Sequence, residues 1–323
     1  MLNLKKIIMK KFNFSEAEKI VIKLGSSIVT NNGNGLDERC LSSLIRQISI
    51  LSSQNKKVIL VSSGAIAAGL KKLGIGKRPK ILSELQSAAA VGQMDLVRMY
   101  EKLFSDNDLM SAQVLLTHND LSDRKRYLNA RSTIFNLIKN NVIPVINEND
   151  TVASEEIRFG DNDTLAAMVA NLIEADILVL LTDQDGLFSS DPRQDSNARL
   201  IRHSYVDDKS LDDAATGTKS EIGIGGMTTK ILAARRAALS GTHTIIASGK
   251  RSNVLVDLSK DEDIGTFLQS REVKLIARKK WLADNLKSNG KIYIDDGAEK
   301  ALIQKGKSLL VAGVTKVTGT FDR

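Results

Sequence analysis

The chain has 323 residues, of which 42% are hydrophobic, and a formal net charge of +8. This length suits one large domain plus a smaller unit, and the composition is that of a globular protein with a sizeable core. No apolar run approaches the roughly 18 residues of a membrane-spanning helix, and the single cysteine, Cys40, excludes an internal disulfide. We therefore expect a protein of the reducing cytoplasm that does not cross a membrane. The three histidines lie far apart in the sequence, which argues against a zinc site.

The first eleven residues hold four lysines around a short apolar stretch. That stretch is too short for a secretory signal, and no small-residue cleavage site follows it. We interpret residues 1–18 as an N-terminal extension that precedes the folded domain.

From residue 19 to about residue 247, strand-like apolar runs alternate with amphipathic helical patterns. This alternation predicts crossover units and a mainly parallel sheet. The predicted strands cover residues 20–24, 57–62, 111–116, 142–147, 177–182 and 244–247. The predicted helices cover residues 37–54, 83–104, 127–140, 163–173 and 227–240, with a further helix after residue 64.

Several predicted strands end in polar or glycine-rich turns, and open sheets of this kind bind ligands at the carboxyl ends of their strands. Lys23 lies in an otherwise apolar strand, where its ammonium needs an anion near the strand end. Small-residue turns follow two strands at residues 25–27 and 63–65, and Gly225-Gly226 precedes a helix whose first turn carries Lys230. Backbone N–H groups at helix starts bind anions. None of these turns matches the Walker or dinucleotide fingerprint, which disfavours those folds.

Residues 144–163 pass from a buried-strand pattern into a cluster of carboxylates and amides. Between residues 147 and 163 there are six acids and one base, Arg158. Like charges at this density are either solvated or gathered around a cation such as Mg²⁺ or a substrate ammonium. The N-E-N-D and G-D-N-D motifs suit a small polar ligand, but the segment alone leaves both interpretations open.

Six motifs in this order, K-L-G-S-S, V-S-S-G-A-I, N-E-N-D, G-D-N-D, L-T-D-Q-D-G-L and G-G-M-T-T-K, closely resemble those of the amino-acid kinase family. The resemblance implies an α/β three-layer sandwich with a mainly parallel central sheet. It also implies an enzyme that uses ATP with Mg²⁺ to phosphorylate a carboxylate. The S-S-G-A-I-A-A-G, N-E-N-D and G-D-N-D combination is similar to members that act on the γ-carboxylate of L-glutamate, in the first step of proline biosynthesis.

The resemblance assigns a nucleotide site to this chain. Lys23 and Lys230 would grip the ATP phosphates and Asp163 would hold the two lysines in position, so these three are the expected catalytic residues. Gly25 and Ser26 would bring backbone N–H donors to the same phosphates. The expected ATP contacts are Lys23, Gly25, Ser26, Thr182, Asp183, Ile224, Gly225, Gly226, Met227, Thr228, Thr229 and Lys230.

The resemblance also assigns an amino-acid site, made of Ser63, Asp150 and Asn162 with support from Asn147. Asp150 would take the substrate ammonium, while the Ser63 hydroxyl and the Asn162 amide would donate to its carboxylates. No protein ligand for a metal is expected, because phosphate oxygens would hold most of the Mg²⁺ shell. Glu155 and Glu156 are left as solvated loop charges.

Two positions depart from the family pattern. Ile224 stands where a small hydroxyl residue is common, which removes a hydrogen-bonding group from that turn, and Ser62 replaces a common threonine. The family further implies inhibition by proline and a homo-oligomer, either a dimer or a tetramer.

Residues 290–323 resemble the opening of a PUA domain, a module that binds RNA in other proteins, and look like an incomplete copy. Residues 271–323 hold 12 Lys+Arg against 6 Asp+Glu, an excess that fits a solvated face better than a nucleic-acid surface. The expected organisation is an extension (1–18), a kinase domain (19–268), a linker (269–289) and a small β-rich PUA-like segment (290–323).

Two alternatives remain open from the residues. One is a sister kinase acting on another carboxylate, such as aspartate or N-acetylglutamate. The other is an RNA-binding regulatory protein built on a decayed kinase, although the intact lysines and glycine turns argue against decay.

Overall fold

Strands and helices alternate along the chain in the order that the sequence predicts. The computed structural model describes residues 12–33, 35–153, 162–215, 226–271, 290–303 and 306–319. The strands within these ranges are β1 (Lys19–Leu24), β2 (Lys57–Val61), β3 (Met110–Leu116), β4 (Val142–Glu148), β5 (Ile177–Thr182), β6 (His203–Tyr205), β7 (His243–Ser248), β8 (Thr266–Gln269), β9 (Gly290–Ile294) and β10 (Val314–Gly319).

The helices of the described ranges are mostly those of an alternating fold, with a few short ones between them. They are α1 (Ser26–Val29), α2 (Glu38–Ser53), α3 (Ala65–Lys72), α4 (Leu82–Ser105), α5 (His118–Ser122), α6 (Arg124–Lys139), α7 (Asp163–Ile173), α8 (Ser210–Ala215), α9 (Met227–Ala238), α10 (Val254–Ser259) and α11 (Asp296–Ile303). None of them is both long and apolar enough to cross a membrane.

Eight strands form one sheet in the order β3-β4-β2-β1-β5-β7-β8-β6. Neighbouring strands run parallel except β7 and β8, which pair antiparallel. The mainly parallel sheet predicted from the sequence is therefore confirmed. The sequence did not reveal β6 and β8, which have only three and four residues, because such short runs carry no clear period.

Helices cover both faces of this sheet, which makes three layers. Alternate residues of a strand point to opposite faces, and in β1 Val21 joins the core that contains α7 and α9. Its neighbours Ile20 and Ile22 join the core on the other face, which contains α2 and α4. Phe14 and Ala17 are buried in that second core, so part of the predicted extension packs against the sheet.

The order of the strands reverses direction at β1. After β1 the chain builds β2 and β4 on one side, and it later builds β5 and β7 on the other. A crevice forms at the carboxyl ends of strands where such a reversal occurs. Strands β2, β4, β5 and β7 all run parallel to β1. The turns that follow these strands therefore lie at one edge of the sheet, at the carboxyl ends of the strands.

The carboxy-terminal segment forms a separate two-stranded antiparallel sheet of β9 and β10. Helix α11 lies between these strands in the chain. Most of its side chains are exposed, as expected for a small β unit with little core of its own.

Candidate active site

One buried carboxylate lies between two lysines at the carboxyl edge of the sheet. Asp163 Oδ1 is 2.6 Å from the ammonium of Lys23, and its Oδ2 is 3.0 Å from that of Lys230. All three side chains are almost fully buried. The sequence-predicted catalytic residues are therefore brought together, although they are separated by up to about 200 positions in the chain.

Strand geometry explains why these three groups meet. Lys23 shares a face of β1 with Val21, and that face packs against α7 and α9. Asp163 is the first residue of α7, where the positive end of the helix dipole favours a carboxylate. Lys230 lies in the first turn of α9, where the dipole disfavours a cation. Asp163 compensates for that unfavourable placement.

The charge state of Asp163 follows from this arrangement. Burial opposes its ionisation, but Lys23 and Lys230 together hold the pKa of Asp163 well below its usual range. The Thr229 hydroxyl also lies 3.2 Å from Asp163 Oδ2. The result is a fixed anion that keeps two ammonium groups close together at one point of the crevice.

A second group of residues forms a chain of amides on the β2 and β4 side. Asn162 Nδ2 donates to the Ser62 carbonyl at 2.5 Å and to Asn147 Oδ1 at 2.7 Å. Asn147 Nδ2 donates to Gln93 Oε1 at 2.7 Å. Both asparagines are buried, so this network has one preferred set of hydrogen-bond directions.

This network changes the expected role of Asn162. Its two Nδ2 hydrogens are both used within the protein, so its amide nitrogen is not available to donate to a substrate carboxylate. The polar atom of this side chain left for a ligand is the acceptor Oδ1. With this network Asn162 offers an acceptor in place of the expected amide donor, and its contact with a substrate stays a prediction.

Ser63 and Asp150 lie beside this amide chain. The Ser63 hydroxyl is buried and has no hydrogen-bond partner within the described ranges, which leaves it free to contact a ligand. Burial, and then the nearby charge of Glu148, raises the pKa of Asp150 to about 7, while Arg78 opposes the shift. A carboxylate in this position favours an approaching cation.

The glycine turns also differ in what they can offer. The Gly25 N–H donates to the Leu181 carbonyl at 3.0 Å, so this N–H is already paired within the sheet, and an ATP contact at Gly25 stays a prediction. A Cβ there would lie 3.2 Å from that carbonyl oxygen, so a side chain would strain the turn. Ser26 begins α1, and its N–H keeps the orientation typical of a helix start.

Gly64 and Gly226 both precede helices, as the sequence predicts. Gly64 has φ +100°, and a Cβ there would come within 2.9 Å of Val29 and Thr30, so only glycine fits easily. Gly226 is the residue before α9, whose first turn contains Met227, Thr228, Thr229 and Lys230. The predicted ATP contacts Ile224 and Gly225 lie outside the described residues.

Thr182 and Asp183 lie at the end of β5, in the half of the sheet formed by β5 and β7. Thr182 ends β5, and its hydroxyl donates to the Asp183 carboxylate at 3.0 Å. The Thr182 carbonyl accepts from Gly249, which follows β7. This pair lies on the β5 and β7 side of β1, opposite the amide chain, so the two expected half-sites flank the lysines.

Comparison with protein families matches residues 18–248 to the amino acid kinase family. The chain belongs to the amino acid kinase family. A PUA domain model matches residues 290–323. The first match covers seven strands of the eight-stranded sheet, all except β8, and the second covers the small carboxy-terminal sheet.

Curated proteins of this family are similar over nearly the whole chain. The chain is 58% identical over 308 residues to a glutamate 5-kinase of Nitrosospira multiformis, with 95% of this chain and 83% of that protein covered. It is 57% identical over 307 residues to a glutamate 5-kinase of Nitrosomonas eutropha, with 95% and 82% covered. A glutamate 5-kinase of Bordetella pertussis is 55% identical over 309 residues, with 96% and 82% covered.

Two solved structures share the fold of this chain. UMP kinase from Bacillus anthracis superimposes with a TM-score of 0.55 at 15% identity, and the match covers 79% of this chain and 97% of that one. UMP kinase from Ureaplasma parvum gives a TM-score of 0.56 at 15% identity, with 78% and 98% covered. At this identity the likeness concerns the arrangement of sheet and helices only.

Sequence reasoning about the family motifs missed four residues near the site. Gln93 and Tyr100 come from α4, which carries none of the motifs, and Arg78 lies in the loop before it. His118 lies 3.4 Å from Glu148. The seven-residue spacing of the two α4 residues could have indicated a shared face, whereas nothing in the sequence indicates Arg78 or His118.

Proposed function

We propose that the chain transfers the γ-phosphoryl group of ATP to the γ-carboxylate of L-glutamate and forms L-glutamyl 5-phosphate and ADP. The observation that carries this proposal is the convergence of Lys23 and Lys230 on buried Asp163, between two half-sites of different chemistry. The similar proteins named glutamate 5-kinase support the choice of substrate.

The chemical step needs little from the protein beyond alignment and charge. A γ-carboxylate is already ionised at pH 7. One of its oxygens forms a bond to the γ-phosphorus as the bond from that phosphorus to the bridging oxygen of ADP breaks. Negative charge develops on the transferring group and on ADP. Lys23 and Lys230 stabilise that charge from positions fixed in advance by Asp163.

The amino-acid half-site matches the charges of glutamate. The ionised Asp150 carboxylate attracts the α-ammonium, and Asn162 Oδ1 adds an acceptor for the same group. The buried Ser63 hydroxyl, unpaired within the described residues, donates to a substrate carboxylate.

The nucleotide half-site consists of the start of helix α1 at Ser26, of Thr182 and Asp183, and of the first turn of α9. Mg²⁺ would arrive with ATP and be held mainly by phosphate oxygens. Within the described ranges no group of three or more His, Cys, Asp or Glu side chains is arranged to hold a metal, and both oxygens of Asp163 face lysines. When bound, Mg²⁺ would supply charge neutralisation on the phosphates.

Three further properties belong to the same proposal. The reaction would be the first step of proline biosynthesis, with proline as an inhibitor, in the cytoplasm. The protein would associate as a dimer or a tetramer. The kinase domain would span residues 19–268, and the PUA-like segment residues 290–323, boundaries that the family matches at 18–248 and 290–323 support.

The test is ADP release by the purified protein with Mg·ATP and one amino acid at a time. We expect release with L-glutamate and at least about a hundredfold lower kcat/KM with aspartate or N-acetylglutamate. Adding proline to the glutamate reaction tests the inhibition. Activity with aspartate alone would refute the proposed substrate.

A further inference from the structure

One face of helix α4 makes three hydrogen bonds to the segments that carry the amino-acid half-site, one of them to Asn147 of the half-site itself. Gln86, Gln93 and Tyr100 are seven residues apart, which is close to two helical turns, so they lie along one face of this helix. Gln86 Nε2 donates to the Ala153 carbonyl at 3.0 Å. Gln93 Oε1 accepts from Asn147 at 2.7 Å, and the Tyr100 hydroxyl is 2.8 Å from Ser62 Oγ.

The direction of the amide chain is determined by backbone groups at both ends. The Ser62 carbonyl can only accept, so the Asn162 atom facing it is Nδ2. The Glu148 N–H can only donate, at 2.9 Å, so the Asn147 atom facing it is Oδ1. Asn147 must therefore present Nδ2 to Gln93. Gln93 supplies the acceptor that this orientation requires.

Reversing Asn147 would be unfavourable. Its NH₂ group would then face two donors, the Glu148 N–H and the Asn162 NH₂. Without the Gln93 oxygen, the correct orientation leaves a buried donor unpaired, and the reversed one places donors against donors. Either way Asn162 loses a fixed partner, and its Oδ1 is no longer held in one position.

The packing of α4 against α3 fixes the position of Gln93. At Gly92, the preceding residue, a Cβ would lie 1.9 Å from the Ala65 carbonyl oxygen, and at Gly69 a Cβ would lie 1.7 Å from the Ala88 carbonyl oxygen. The two helix backbones therefore touch next to Gln93. Helix α3 begins directly after the Ser63-Gly64 turn, so this contact sets α4 relative to the amino-acid half-site.

We propose that Gln93 is a positioning residue for the amino-acid substrate, acting through Asn147 and Asn162 without touching the substrate. The inference rests on the proposed function, because it assumes that this half-site binds glutamate. The three α4 contacts described above all reach the β2 and β4 side, so Gln93 acts on amino-acid binding and not on ATP.

The test is Gln93→Met, which keeps the length of the side chain and removes the acceptor. We expect the KM for glutamate to rise about tenfold, while kcat and the KM for ATP stay within about threefold. The dissociation constant of glutamate, measured calorimetrically without ATP, should rise by a similar factor. Gln93→Glu keeps an acceptor oxygen at the same place and should recover most of the affinity.

Arg98→Met is the matched control, since Arg98 is exposed on the same helix and should leave both KM values unchanged. If the Met variant does not fold, Gln93→Ala tests the same prediction, because alanine favours the helix. A wild-type KM for glutamate in both apolar variants would overturn the inference, as would an equal rise for both substrates. Glutamate-dependent ADP release by the wild-type protein, run in parallel, tests the proposed function separately.

Discussion

Asp163 and Asp150 lie at the same edge of the same sheet and are both largely shielded from water, yet their surroundings differ. Asp163 has two lysine ammonium groups within 3.0 Å, and its pKa lies well below the usual range because these cations outweigh burial. Asp150 has another acid, Glu148, nearby, and burial followed by that charge raises its pKa to about 7.

The difference fits the roles proposed for the two carboxylates, Asp163 as an anion that holds the lysines and Asp150 as the group for the substrate ammonium. The cations of Asp163 belong to the chain, so its charge is stabilised whether or not a substrate is bound. The negative charge of Asp150 is only partly balanced by Arg78. A bound ammonium would therefore stabilise ionised Asp150 more than it would stabilise Asp163. Replacing each aspartate by asparagine should therefore have opposite effects on stability.

The largest effect is expected for Asp163→Asn. Two buried lysines would lose their shared anion, and breaking a buried ion pair in this way costs about 3 to 5 kcal/mol of unfolding free energy. The lysines would also separate, so kcat should fall at least about a hundredfold. Urea unfolding at pH 8 and initial rates measure the two effects.

Asp95→Asn is the control for that experiment, because Asp95 pairs with Lys72 on the surface, where both side chains are partly exposed. Surface pairs contribute about 1 kcal/mol or less. If the Asp163→Asn protein is as stable as the Asp95→Asn protein, Asp163 does not stabilise the two buried lysines.

Lys230→Met comes next and separates catalysis from stability. Asp163 keeps Lys23 at 2.6 Å, so the protein should fold, but kcat should drop at least about a hundredfold because one phosphate-stabilising cation is lost. Lys102→Met, which removes an exposed lysine paired with Glu38, should keep kcat within about twofold. Near-normal turnover of folded Lys230→Met would reject the role of Lys230.

Asp150→Asn should reverse the stability effect of Asp163→Asn. A raised pKa means that the folded state holds its proton more tightly, so the stability from this group is complete below about pH 4 and is lost as the pH rises through about 7. At pH 8 the ionised Asp150 destabilises the fold, and a neutral asparagine should raise the unfolding free energy by up to about 4 kcal/mol, the equivalent of raising the pKa of this carboxyl from its ordinary value to about 7.

The same variant should bind glutamate poorly. Losing the charge that faces the ammonium should raise the KM for glutamate at least about tenfold, with the KM for ATP within about threefold. Urea unfolding and initial rates again provide the measurements. A destabilised Asp150→Asn protein with an unchanged glutamate KM would remove the contrast between the two aspartates.

The sequence predicted the Asp163 side of this comparison better than the Asp150 side. Lys23 lies in an apolar strand and Lys230 follows a glycine turn, and burying either ammonium is unfavourable unless an anion lies nearby. The helix period places Asp163 at the start of α7. The long strands follow from their apolar runs. The short strand β8 does not, because its antiparallel pairing with β7 depends on tertiary contacts.

The amide chain could not be predicted for a physical reason. Gln93 and Asn147 are 54 positions apart, and the direction of each hydrogen bond depends on which backbone group faces it. The motif placed Asn162 in the site but not the direction of its amide. In the same way, the Gly25 turn was predicted, whereas the use of its N–H by Leu181 depends on how β1 and β5 align.

The smallest expected effect is the pH dependence of substrate binding, which tests the raised pKa of Asp150 directly. Asp150 must be ionised to attract the ammonium, so between pH 8 and pH 6 its ionised fraction falls about tenfold if its pKa is about 7. The KM for glutamate should therefore rise about tenfold over this range, while the KM for ATP changes less. Initial rates at saturating ATP measure it. Asp163 has a pKa far below this range and stays ionised throughout, so the lysines remain in place. A glutamate KM that is flat from pH 8 to pH 6 would mean that Asp150 is already paired with a cation of the protein, and the distinction between the two aspartates would disappear.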